Sequence, residues 1–105
     1  MFGFRRPDIN DGIELFKKTP GAVLVDVRNK DEFEMGRIKG SVNVPLNKLS
    51  QLEKYAQKDT PVFLYCLNGG RAGRAMKRLK RKGYTNIVNL GGVRGYKGGI
   101  EHGRG

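Results

Sequence analysis

Hydrophobic residues recur along this chain in two rhythms. Four stretches are short and largely unbroken: AVLVDV at residues 22–27, VNV at 42–44, VFLY at 62–65 and NIVNL at 86–90. Runs of this length bounded by glycine, proline or polar residues predict strands, and the weak alternation predicts strands covered on both faces. Between them the apolar spacing lengthens to three and four residues, as a helix requires: Ile9, Ile13 and Phe16; Leu49, Leu52 and Ala56; Ala72, Ala75, Met76 and Leu79. Asp8 is placed to cap the first of these, with Lys17 and Lys18 at its far end, and Pro20-Gly21 ends it. Asn47 is the candidate cap of the second, and Gly83 ends the third in a left-handed conformation. A turn or two of helix is expected over 30–35 with Phe33 pointing inward, and a short edge strand over 4–6. Strand and helix patterns alternate, which predicts an α/β fold with a parallel sheet and helices on both faces.

The stretch PVFLYCLNGGRAGRAMKRLKRKG, residues 61–83, carries the chemistry. Cys66, the one cysteine, stands where a buried strand ends and Gly69-Gly70 turn the chain into a helix. A thiol there faces the first unpaired N–H groups and the positive end of the helix dipole, conditions that favour the thiolate, and Arg71 and Arg74 act in the same sense. The glycine pair lets the backbone gather its N–H groups towards one point, so an anion cradle coincides with the nucleophile. Free cysteines are commonly inert small hydrophobes in a core, and only the six-residue loop, glycine pair and following helix taken together with the flanking motifs at 24–45 and 89–96 favour a functional thiol.

Cys66 to Arg71 reads C-x4-R, one residue shorter than the C-x5-R loop shared by cysteine-dependent phosphatases, and a tighter ring suits a terminal sulfur better than a tetrahedral phosphate. The stretch resembles the active loop of rhodanese-type sulfurtransferases. LVDVRNKDEFEMGRIKGSVNVP at 24–45 resembles that family's first signature, and NLGGVRGY at 89–96 its closing Gly-Gly segment. The resemblance implies a rhodanese-like three-layer fold of about five parallel strands with helices on both faces. Departures are Arg37 where histidine is usual before the isoleucine, removing a polar partner at the sheet edge, Tyr96 where tryptophan is common, and Leu67-Asn68 in the loop.

Composition narrows the setting. At 105 residues, 37% of them hydrophobic, the chain suits one domain with a modest core, with a glycine-rich end expected to fray from about residue 98. No apolar run approaches the roughly 18 residues of a membrane span. The opening MFGFRRP has no hydrophobic region behind its arginine pair, so no signal peptide is expected, and a lone cysteine makes a reducing cytoplasm the default. Charge is lopsided: residues 1–59 have eleven Lys/Arg against nine Asp/Glu, residues 60–105 ten against Glu101 alone. Such a field would steer small anions to the loop. Association of Arg74, Lys77, Arg78, Lys80, Arg81 and Lys82 with nucleic acid is not expected, because a charge run on a helix is more often a solvated face.

The expected activity is transfer of a sulfane sulfur from thiosulfate, or another persulfide donor, to a thiol, a protein acceptor or cyanide. Cys66 attacks the outer sulfur of the donor and sulfite leaves as a stable anion, so no general acid, metal or cofactor is called for. The Cys66 persulfide would lie among the N–H groups of Leu67, Asn68, Gly69, Gly70, Arg71 and Ala72. Arg71 either binds an anionic donor or steadies the loop. Asp26 and Arg28 end a strand at the edge where open α/β sheets bind ligands. A scaffold role is preferred for both, Arg28 pairing with Glu32 or Asp26 with a backbone amide. His102, the sole histidine, has no spacing that suggests catalysis. The alternative is a partner-specific sulfur carrier for which free thiosulfate is a poor donor. A thiol buried in the core, or amides turned away from it, would reduce the chain to a relic of an active family.

Overall fold

The computed structural model describes residues 8–104, so the strand expected at 4–6 lies outside it. Helix α1, Ile9–Lys17, starts where Asp8 accepts a hydrogen bond from the Asn10 N–H at 3.0 Å, as a capping aspartate should. Strand β1, Val23–Asp26, leads to helix α2, Lys30–Met35, and to two short strands, β2 at Arg37–Ile38 and β3 at Ser41–Asn43. Strand β4, Val62–Cys66, runs into helix α3, Gly70–Arg81, which ends before Gly83 at φ +101°. Strand β5, Ile87–Gly92, and a final strand β6, Ile100–Glu101, complete the order.

Four strands form a parallel sheet in the order β3-β1-β4-β5, with Asp26 level with Asn43 on one side and Tyr65 on the other. Among the described residues the sheet has four strands where about five were expected. Because side chains alternate along a strand, β4 feeds two cores. Val62, Leu64 and Cys66 point to the layer of α3, with Val25, Leu52, Ala72, Ala75 and Leu79. Phe63 and Tyr65 point to the layer of α1, with Ile9, Ile13, Leu24 and Leu90. Tyr96, in the tryptophan position, packs against this second layer. The strand register therefore decides that the cysteine lies under the α3 face.

The segment expected as a helix capped by Asn47 is instead a 3-10 helix, Leu46–Lys54, entered through Pro45 and kinked at Lys48 (φ −134°, ψ 36°). Its buried leucines, Leu49 and Leu52, are three residues apart, the repeat that eclipses in a 3-10 helix. The glycine-rich end, for which fraying is expected, has partners: β6 pairs antiparallel with β2, the Gly103 N–H donates to Glu34 O at 2.7 Å, and His102 Nδ1 lies 2.7 Å from Met35 O. Arg37 does not leave the sheet edge short of a polar partner. Its buried guanidinium donates to the Phe33 and Gly103 carbonyls and stacks 4.6 Å from the centroid of the half-buried Phe33 ring. None of the described helices is long and apolar enough to cross a membrane.

Candidate functional site

Cys66 is the last residue of β4, and the chain turns over its side chain before α3 begins. The turn depends on Gly69, whose φ of +98° lies in the left-handed region that side chains resist. It brings two main-chain donors onto the sulfur: the Gly69 N–H reaches Sγ at 2.9 Å and the Ala72 N–H at 3.4 Å. Of the six amides expected around the site, these two meet the thiol, while the Gly70 N–H turns to Asn68 Oδ1 at 3.2 Å. The thiol is enclosed, with 0% of Cys66 exposed. Of the two conditions set out from the sequence, burial of the cysteine in the α3 core is met and counts against a working thiol, while the second is not met, since two amides of the loop point at its sulfur.

The loop rests on the end of β5. Cys66 is level with Gly92, after an irregularity that gives β5 one extra residue relative to β4 beyond Leu64. Gly91 takes φ +84° there, its N–H held by Asn89 Oδ1 at 2.8 Å. A Cβ on Gly92 would meet Leu67 O at 2.4 Å and Asn68 Cα at 2.7 Å. Only a residue without a side chain lets the loop sit this close to the sheet.

Two ion pairs brace the site. Asp26 and Arg28, both buried, form a bidentate pair at 2.7–3.1 Å, and the Arg28 N–H also donates to Asp26 at 2.8 Å. Burial opposes the Arg28 charge, but the hydrogen-bonded Asp26 carboxylate outweighs it and raises the guanidinium above its ordinary value. The partner of Arg28 is Asp26 rather than Glu32. Glu32 belongs to Arg71: Nη1 and Nη2 donate to its two carboxylate oxygens at 2.7 and 2.9 Å. The Asn29 N–H adds a third bond to Glu32 at 3.0 Å. The Arg71 bond is the largest cause that lowers the Glu32 carboxyl from its ordinary 4.5 to about 2, and the same bond raises Arg71. Arg74, expected to support the thiol, is exposed on α3 and has no ion pair among the described residues.

Two contributors, Tyr65 and Gly92, escaped the sequence reading, and a third, Glu32, has another partner than the one considered. Glu32, considered as a partner of Arg28, meets instead an arginine 39 residues away. Tyr65, beside the cysteine, faces the opposite core, where its oxygen accepts the Ile38 N–H at 3.1 Å and lies 3.1 Å from Ser41 Oγ. Burial pushes this phenol above its ordinary value. Gly92 was visible only as half of a glycine pair. Along the same carboxyl edge of the sheet, a cleft of about 260 Å³ is lined by Lys30, Phe33, Asn43, Lys48, Gln51 and Arg104 among others, without Cys66.

A model of the rhodanese-like domain matches residues 11–99. The chain belongs to this rhodanese family. Its relatives are varied. It is 46% identical over 81 residues to a Bacillus subtilis (strain 168) protein named "Uncharacterized protein YqhL", covering 76% of this chain and 64% of that one. It is 32% identical over 100 residues to the tRNA uridine(34) hydroxylase of Protochlamydia amoebophila, covering 85% of this chain but 31% of that protein. It is 31% identical over 72 residues to the thiosulfate sulfurtransferase PspE of Escherichia coli K12, covering 67% and 69%. The chain thus spans less than two thirds of the first two relatives. Among solved structures, an Escherichia coli rhodanese with anions superposes with a TM-score of 0.71 at 26% identity, covering 78% of this chain and 99% of that one. Rhodanese and sulfurtransferase character holds at the level of the family, whose members use sulfur donors and acceptors.

Proposed function

We propose that the chain is a sulfurtransferase that carries a sulfane sulfur on Cys66. The observation that supports this most is the pair of amides, Gly69 and Ala72, aimed at Sγ from a turn that only glycine permits. Preorganised N–H donors stabilise negative charge at the place where it resides, without reorganisation during the reaction. With thiosulfate, the Cys66 sulfur forms a bond to the outer sulfur, the sulfur–sulfur bond of thiosulfate breaks, and sulfite departs with its electron pair. The negative charge then rests on the outer persulfide sulfur. A thiolate or cyanide attacks that sulfur in the second half of a ping-pong cycle and returns Cys66 to the thiolate. Each step balances without an oxidant, a metal or a transferred proton.

The persulfide loop of this proposal comprises Leu67, Asn68, Gly69, Gly70, Arg71 and Ala72, with Asp26 and Arg28 as scaffold beneath it. Arg74 contributes through its charge alone. A reducing compartment such as the cytoplasm suits a free thiol. Mass spectrometry of the chain after incubation with thiosulfate is expected to show one added sulfur atom, absent in Cys66→Ser. No adduct on the unaltered chain would overturn the thiosulfate reading.

Two observations favour a second reading, a carrier that takes sulfur from a dedicated protein. The thiol is enclosed, so a free donor must wait for the loop to open, and the Arg71 fork is already occupied by Glu32. Failure with thiosulfate together with success from a protein persulfide would select it.

A further inference from the structure

Arg71 opens α3 five residues after the nucleophile, and an arginine there has a planar fork suited to an oxyanion. In this chain the fork is taken. Both terminal nitrogens donate to Glu32, one bond to each oxygen, and Glu32 is itself held from the other side by the Asn29 N–H. The side chains are about a quarter to a third exposed, 26% for Arg71 and 30% for Glu32, so the pair stands at the surface, on the residue that closes the cysteine loop. The link also crosses between elements, from the first turn of α2 to the first turn of α3.

We infer that Glu32 is a specificity-determining residue that withholds the Arg71 guanidinium from the donor and so disfavours small, doubly charged donors such as free thiosulfate. The inference rests on the sulfurtransferase reading of Cys66. It follows from charge arithmetic at the rim. A free guanidinium would attract a dianion about twice as strongly as a monoanion, whereas the neutralised pair attracts neither. Glu32→Gln keeps a carbonyl for the Asn29 N–H and removes the charge that engages Arg71. It should then admit anions in proportion to their charge.

Two donors of the same chemistry separate the effect: thiosulfate, a dianion that releases sulfite, and methanethiosulfonate, a monoanion that releases methanesulfinate. In Glu32→Gln, kcat/KM for thiosulfate should rise about tenfold, mostly through KM, and rise less for methanethiosulfonate. Adding Arg71→Met should abolish the gain, and Glu32→Asp, which keeps the charge, should retain the discrimination of the unaltered chain. An unchanged ratio between the two donors, or equal loss of both, would show that Glu32 merely ties α2 to α3 and overturn the inference. Calorimetric thiosulfate binding to Cys66→Ser chains, which needs no turnover, distinguishes this failure from failure of the sulfurtransferase reading. About tenfold tighter binding when Glu32→Gln is added supports Glu32's role even if no persulfide forms. Equal affinity overturns that role even if one does.

Discussion

Gly92→Ala isolates how the sheet sets the geometry of the cysteine loop. Gly92 has φ −107° and ψ 143°, extended backbone open to any residue, so alanine brings no conformational strain there. Only the added methyl acts. It would stand 2.4 Å from Leu67 O, 2.7 Å from Asn68 Cα and 2.9 Å from Leu67 C, all main-chain atoms that cannot rotate aside. Ordinary contact begins near 3.4 Å, so the Leu67 carbonyl must retreat by about 1 Å. Gly69 lies two residues further on, and a shift of that size stretches its N–H contact with Sγ from 2.9 Å towards about 3.9 Å, weakening the donor. Misplacement by about 1 Å lowers rates by about 10²-fold, and the overpacking costs about 1–3 kcal/mol of stability. The control is Gly12→Ala, whose methyl would meet Leu90 Cδ2 at 2.3 Å, the flexible end of a side chain in the opposite layer. Quenched-time mass spectrometry of persulfide formation, with urea unfolding of both variants, should show the smaller loss of stability for Gly12→Ala and a slow reaction only for Gly92→Ala. A folded Gly92→Ala chain that forms persulfide at the unaltered rate would refute this account of the loop.

Further outcomes follow from the two ion pairs. Asp26→Asn leaves the buried Arg28 cation without its counter-charge, and removal of one partner from such a pair costs about 3–5 kcal/mol, measurable as a fall in the urea midpoint. Glu32 titrates near 2 when folded and near 4.5 in its ordinary state, so its pairing stabilises the chain fully above pH 4.5. That stability is lost as pH falls towards 2. Allowing for its partial exposure, the loss is about 1 kcal/mol, and Glu32→Gln should remove this part of the acid dependence in urea titrations at successive pH values. An acid profile that the substitution leaves unaltered would contradict the assigned Glu32–Arg71 pairing.

Much of the architecture was legible because it rests on local periodicity. Unbroken apolar runs predict buried strands, three- and four-residue spacing predicts α1 and α3, and the positive φ of Gly83 follows from its place after a helix. The strand-cysteine-glycine-helix order was equally local, since the relation of a thiol to the helix that follows it is set within a few residues. The leucines of the 3-10 segment were misread because their spacing of three satisfies both helix types, and the choice falls to Pro45 and the kink at Lys48.

The sequence by itself determined the α/β alternation, the position of the cysteine at a strand end and the glycine turn that follows it, all consequences of short-range backbone sterics and hydrogen bonding. The tertiary structure alone decided which carboxylate each arginine meets, that Arg37 holds the Gly103 carbonyl, and that Gly92 supports the loop. Those pairings join residues tens of positions apart, and packing of α2, α3 and β5 at one end of the sheet brings them within reach. No local pattern encodes such a distance.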